Sequence, residues 1–163
     1  MPVNRETGLR EIANCTRADF DQILRELADF WGNERTLALH HPMWFREFGN
    51  SAFVVREAET VVAYLFGFVA QTGPYGYVHL IAVRKSRRGR GLGRLLYERF
   101  TCFVQEHGCL EIRAITSPTN AESIAFHQSM GMEMLGSPNE DGIPVVEDYS
   151  GPGLHRVLFR KSI

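Results

Sequence analysis

The chain has 163 residues, 44% hydrophobic and 23% charged, which is enough to bury a core without disulfides or a structural metal and is the composition of a globular domain. No apolar run approaches the roughly 20 residues of a membrane span, and Met1 to Arg10 carries charges but no leader-like apolar stretch. The expectation is one domain over residues 1–163, cytoplasmic and without a membrane partner.

The net charge is −1, yet Arg84, Lys85, Arg87, Arg88, Arg90 and Arg94 put six of the 18 basic residues in one short segment, so the rest of the chain carries −7. A compact basic cluster on an acidic protein suits a small anionic ligand better than a nucleic-acid track, which needs a broader basic face with interleaved aromatics. The three cysteines, Cys15, Cys102 and Cys109, are odd in number and lack Cys-x-x-Cys spacing, so they predict buried free thiols. Adjacent His40 and His41 do not suit one metal ion, and His-Glu-x-x-His is absent, so no metal is expected.

In chain order, Thr16 and Asp19 form a capping-box pattern, and Phe20, Ile23, Leu24, Leu27 and Trp31 follow at the spacing of one amphipathic helix. His40 to Phe48 reads as a short helix or loop. Ser51 to Glu57 and Val61 to Gln71 read as an antiparallel hairpin. Tyr77 to Val83 is almost continuously apolar, as expected of a central strand covered on both faces. After the basic loop, Leu92, Leu95, Leu96, Phe100, Phe103 and Val104 form a helical stripe ended by His107-Gly108. Leu110 to Thr116 reads as a strand. Thr119 and Glu122 suggest a second capping box, opening a helix that Gly131 ends. Ser137 to Gly153, rich in proline and glycine, reads as a loop in which Ile143 to Val146 can form a short edge strand, and Leu154 to Arg160 as a last strand. The fold class is mixed α/β, a central twisted sheet with helices on both faces and one right-handed parallel crossover.

A strand ending at Val83, then glycines, then a helix, aims backbone N–H groups at the positive end of a helix dipole, where pyrophosphate binds. A side chain at Gly91 or Gly93 would block close approach of phosphate oxygens. The segment is not a P-loop, because no Lys-Ser or Lys-Thr follows the glycines, and it misses the dinucleotide fingerprint because Arg94 stands at the sixth position from Gly89.

Arg88, Gly91 and Gly93 resemble the Gln/Arg-x-x-Gly-x-Gly/Ala signature of the GCN5-related N-acetyltransferase (GNAT) superfamily. Asn120 and the run Phe126-His127-Gln128-Ser129-Met130-Gly131-Met132 are similar to that family's later segment. The likeness follows element order from about Leu9 to Phe159 and is sharp from Tyr77 to Met132. It implies acetyl-CoA as cosubstrate, with its pyrophosphate on the amides of Arg88, Gly89, Arg90, Gly91, Leu92 and Gly93. Its pantetheine would lie along Ile81, Ala82 and Val83, in a slot opened by splayed central strands, with Asn120 bonding the same arm.

The implied reaction is attack of a neutral amine on the thioester, which needs a base for the amine and a proton donor for the thiolate. The position that often holds a donor tyrosine is His127 here, and histidine serves either as that donor or as packing. Tyr77 falls where some relatives carry a catalytic glutamate, but a phenol is a poor base at neutral pH. His79, two residues further on the same strand face, is the better candidate, or else a core histidine. By the same resemblance the acceptor side comprises His40, His41, Trp44, Phe45, Glu147, Asp148 and Tyr149. The expected activity is N-acetylation of a small cationic amine; the alternatives are a catalytically silent acyl-CoA-sensing module and a protein N-terminal or lysine acetyltransferase. The resemblance also admits a homodimer.

Overall fold

The computed structural model describes residues 10–163; most of the charged stretch Met1 to Arg10 and the start of the family likeness lie outside them. Seven strands hydrogen-bond in the order β1-β2-β3-β4-β5-β9-β6, a mixed sheet flanked by helices. The chain divides into two compact units, one of residues up to Gly67 with Leu80–Phe100, the other of Phe68–His79 with Thr101–Ile163.

In the first unit β1 (Glu11–Asn14) pairs antiparallel with β2 (Ala52–Glu57), which pairs with β3 (Thr60–Val69) through a tight turn in which Ala58 and Glu59 have positive φ. Such a two-residue turn matches the right-handed twist of the strands it joins. The sequence gives no sign of β1, whose four residues are too short for a periodic signal. Helix α1 (Arg17–Arg25) starts at a true capping box, Thr16 accepting from the Asp19 amide and Asp19 accepting from the Thr16 amide. Burial alone would raise the Asp19 carboxyl, but hydrogen bonds from Arg56 and Thr16 hold it below the usual range.

The single helix expected through Trp31 is two, because the chain leaves helical geometry at Glu26 before α2 (Leu27–Trp31). No glycine or proline causes this break. The Arg84 guanidinium takes the carboxylates of Glu26 at the break and Asp29 after it, while lying 4.8 Å over the Phe30 ring. The stretch from His40 to Phe48 holds the one-turn helix α3 (Met43–Arg46). Helices cover both faces of the hairpin: Phe20, Phe30 and Trp44 pack on Tyr64 and Phe66, while Arg99 of α4 (Leu92–Glu106) lies over Phe53 on the other side.

The strand covered on both faces is β3, buried without interruption from Val61 to Gly67, and not the one expected. β4 (Tyr75–Val83) alternates: Gly76, Val78, Leu80 and Ala82 are buried, whereas Tyr75, Tyr77, His79, Ile81 and Val83 are half-exposed. Its second face is therefore available for function.

In the second unit β5 (Glu111–Thr116) runs parallel to β4, with registered pairs from Tyr75–Glu111 to Val78–Ala114, and antiparallel to β9 (Val157–Ser162). β6 (Glu133–Leu135), also not expected from sequence, completes the edge beside β9. Helix α5 (Ala121–Ser129) begins one residue later than the Thr119 pattern suggests, because the Asn120 side chain is the cap and accepts from the Ser123 amide. The long loop contains the small pair β7 (Ser137–Pro138) and β8 (Pro144–Val145). Gly136 packs so closely on β8 that a Cβ there would stand 2.2 Å from the Val145 carbonyl oxygen.

Candidate active site

The cradle lies wholly in the first unit. β4 ends at Val83, a single 3-10 turn spans Lys85–Arg87, and Gly89 and Gly91 take φ of 75° and 77° before α4 starts at Leu92. That left-handed geometry disfavours any side chain, and no protein atom lies within 4 Å of the position a Cβ would take at either glycine. Among the described residues, the N–H groups of Gly89, Arg90, Gly91, Leu92 and Gly93 find no acceptor in the chain. Five unfilled donors in succession, at the positive end of a 15-residue helix, fit a pyrophosphate.

The basic cluster is less a ligand patch than its sequence suggests. Arg84 is committed to Glu26, Asp29 and the Val61 carbonyl, and Arg87 to Glu57 at 2.7 Å. Arg88 donates to the carbonyls of Phe30 at 2.9 Å and Val83 at 3.3 Å. These three arginines brace the loop. Charge opposite the cradle is left to exposed side chains such as Arg90.

Also in the first unit, the four residues expected on the acceptor side make contacts within the fold. Trp44 is 2% exposed, donates to the Leu39 carbonyl and stacks on Phe66. Phe45 packs 5.1 Å from Phe20, and the exposed His41 ring accepts from the Met43 amide at the start of α3. His40 is buried in a chain of hydrogen bonds. Its Nδ1–H donates to the Thr36 carbonyl, its Nε2 accepts from the Tyr64 hydroxyl, and Tyr64 accepts from Trp31.

The second unit carries the remaining candidates. Tyr77 and His79 are neighbours on the half-exposed face of β4, ring centroids 6.4 Å apart, with Phe68 against Tyr77 at 5.3 Å. Burial, reinforced by Tyr149 and Tyr75 and opposed by Arg156, raises the Tyr77 phenol, which therefore stays protonated and cannot act as a base near neutral pH. Asp148, at φ 52°, closes its loop by accepting from the Gly153 amide at 2.7 Å, and Tyr149 beside it is exposed. The Asn120 side-chain oxygen is occupied by its cap bond.

His127 is 3% exposed and lies flat on Phe159, 4.3 Å between centroids and 11° between planes. Its Nδ1–H donates to the Ser123 carbonyl at 2.7 Å, and burial pulls its pKa down to about 4. The ring is neutral at pH 7 with this proton already engaged. Because the folded state holds His127 below its unfolded value near 6.5, its stabilisation is complete above that pH and is lost as pH falls toward 4. Burial lowers His40 too, so its contribution is also lost as pH falls below the unfolded value. The depressed carboxylates Asp19, Glu26 and Glu57 act only below about pH 4. Urea midpoints should therefore fall between pH 6.5 and 4, with a slope of up to about 1.4 kcal/mol per pH unit for each histidine, flattened in His127→Asn. A flat wild-type profile would refute the buried neutral state.

Cys15 and Cys109 are buried as expected, but Cys102 is exposed on α4. Among the described residues no group of three His, Cys, Asp or Glu side chains could hold a metal ion, and no helix is long and apolar enough to cross a membrane.

The sequence profile of the Acetyltransferase (GNAT) family matches residues 17–132. L-2,4-diaminobutyric acid acetyltransferase of Nocardia farcinica (strain IFM 10152) is 25% identical over 120 residues, 71% of this chain and only 62% of that protein. Among solved structures, Ard1 from Thermoplasma volcanium superposes with a TM-score of 0.72 at 19% identity, over 94% of this chain and 97% of its own. The ribosomal-protein-S18-alanine N-acetyltransferase from Escherichia coli gives 0.64 at 18%, over 95% and 94%. At such identities the structures establish the fold alone. The profile match, spanning most of the chain and containing the strand, glycine loop and helix of the cradle, shows that this protein belongs to the GNAT acetyltransferase family.

Proposed function

We propose that the chain transfers the acetyl group of acetyl-CoA directly to the amine of a small cationic acceptor. The observation that carries this reading is the row of five amides from Gly89 to Gly93, at the start of α4 and inside the family match, that find no acceptor among the described residues. Those amides would hold the pyrophosphate, and the main chain of Ile81, Ala82 and Val83 would pair with the pantetheine. In the second unit, the Asn120 amide nitrogen donates to nothing among the described residues. The cosubstrate supplies an activated acyl group; the protein must deprotonate the amine and place it.

His79 is the base in this reading, since it carries the imidazole among the half-exposed side chains of β4. Tyr77, held protonated, is a hydroxyl donor beside it. His127 is a packing residue, and the thiolate is protonated by solvent or by His79 after it has taken the amine's proton. Support for a cationic acceptor comes from the −7 carried outside the basic segment and from exposed Glu147, together with the diamino acid named for the Nocardia relative.

The packed state of His127 also favours a second reading, a silent acyl-CoA-binding module. One screen separates them. Acetyl-CoA-dependent thiol release across polyamines, diamino acids, monoamino acids and peptide N-termini should be fastest with small cations; coenzyme A binding without thiol release from any amine would leave the silent module.

A further inference from the structure

Three arginines share the open face of the second unit's sheet. β4 and β5 are in register at Tyr77–Arg113, and β5 and β9 at Arg113–Arg160 and Ile115–Leu158. On β9 the residues Val157 and Phe159 are buried, and Phe159 lies under His127 of α5, so Leu158 and Arg160 point to the opposite face. Arg156 precedes Val157 in extended chain, held by the reciprocal bonds Val146 N–H to Arg156 carbonyl at 2.8 Å and Arg156 N–H to Val146 carbonyl at 3.1 Å. Alternation puts it on the face of Arg160, Arg113, Tyr77 and His79.

Two of these arginines have counter-ions. Arg113 pairs with Glu111 at 2.6 Å, and Arg160 with Glu133 and Glu111. Arg156 is half-buried, yet no carboxylate of the described residues lies within ion-pair distance, and its one bond is from Nη1 to the His155 carbonyl at 2.8 Å. A partly desolvated guanidinium is stable when an anion faces it, and its planar fork matches a carboxylate. Around it the loop is tied: the Asp148 amide donates to His155 Nδ1 at 3.0 Å and the Asp148 carboxylate accepts from Gly153, which fixes the segment carrying exposed Tyr149. Asp148 itself stands 3.6 Å from His155, and Glu147 is exposed. Tyr149, Tyr75 and the Arg156 charge each act electrostatically on Tyr77.

We infer that Arg156 is a specificity-determining residue that receives a carboxylate of the acceptor, so that the substrate is an amino acid acetylated on an amine and held by its carboxylate. The inference rests on the acetyltransferase reading above and narrows its small cationic amine to one that bears an acid group. Tyr149, on the tied loop, is the adjacent hydroxyl donor. The amino acid's charge pattern also explains how an acceptor can be cationic at the amine and still be selected by an arginine.

The test uses matched amines that differ only by a carboxylate: 2,4-diaminobutyrate against 1,3-diaminopropane, ornithine against putrescine, and lysine against cadaverine. The wild-type protein should prefer the acid-bearing member of at least one pair by about tenfold or more in kcat/KM, the scale of a charge-assisted contact. In Arg156→Gln, KM for that amino acid should rise about tenfold or more while kcat changes little and the diamine is unaffected, and Arg156→Lys should restore part of the loss. Retained coenzyme A binding shows that the variant is folded; should it not fold, the wild-type preference decides. Equal use of both members of every pair, or a variant that weakens diamine and amino acid alike, overturns the inference and leaves the acetyltransferase reading standing. If no amine releases thiol, that reading fails by itself. Calorimetry of the coenzyme A-loaded protein with the three amino acids then decides, and absence of binding by all three overturns the role of Arg156.

Discussion

Replacing Gly91 with valine is expected to abolish measurable coenzyme A binding, a loss of about 100-fold or more. Two effects act together. The residue sits at φ 77°, where a β-branched side chain is strained by about 1–3 kcal/mol, and the added atoms would occupy the space in front of the five unfilled amides. Among the described residues, no atom beyond the chain neighbours lies within 4 Å of the Cβ position, so the substitution crowds the ligand more than the fold. Gly142→Val is the control, because it has φ 76° and the same open surroundings but lies in the loop before β8; it should bind normally. Arg90→Ala should cost only about 1 kcal/mol, the value of one exposed charge-assisted bond. Calorimetry on the folded variants measures all three. Normal binding by a folded Gly91→Val would place the phosphate site elsewhere.

His79→Ala should lower turnover by about 10²-fold or more while coenzyme A affinity is unchanged, the pattern expected when a general base is removed. His127→Ala is the contrast: loss of a buried ring stacked on Phe159 should lower the urea midpoint, while the folded protein keeps turnover within about tenfold. Near-normal turnover in His79→Ala makes His79 structural. A 10²-fold loss in a stably folded His127→Ala would return the proton donor to His127, against its engaged Nδ1–H.

How far the sequence could be read differs from element to element. The Thr16 capping box, the hairpin, the strand before the basic loop and the helix from Leu92 all follow from local rules, because caps, turn residues and periodicity are properties of neighbours in the chain. Strands β1 and β6 have four and three residues and exist only through partners supplied by β2 and β9. The break between α1 and α2 is also tertiary in origin, since Arg84 is 58 residues from the Glu26 carboxylate it holds.

The site divides in the same way. The glycine-rich loop was visible because its geometry lies in the backbone: strand end, left-handed glycines and helix start are contiguous. Side-chain roles were not. Arg84, Arg87 and Arg88 look like ligand charges in the sequence, but distant carboxylates and carbonyls bind them into the loop. Trp44 and His127 carry residue types suited to a site, and packing on Phe66 and Phe159 makes them part of the interior. Arg156 carried no local signal at all. By itself, the sequence determined the fold family and the strand–glycine loop–helix unit from Val83 to Leu92, since both are written in short-range patterns. Tertiary structure alone decided which charged and aromatic side chains are paired, buried or left facing outward, because each outcome depends on partners tens of residues away.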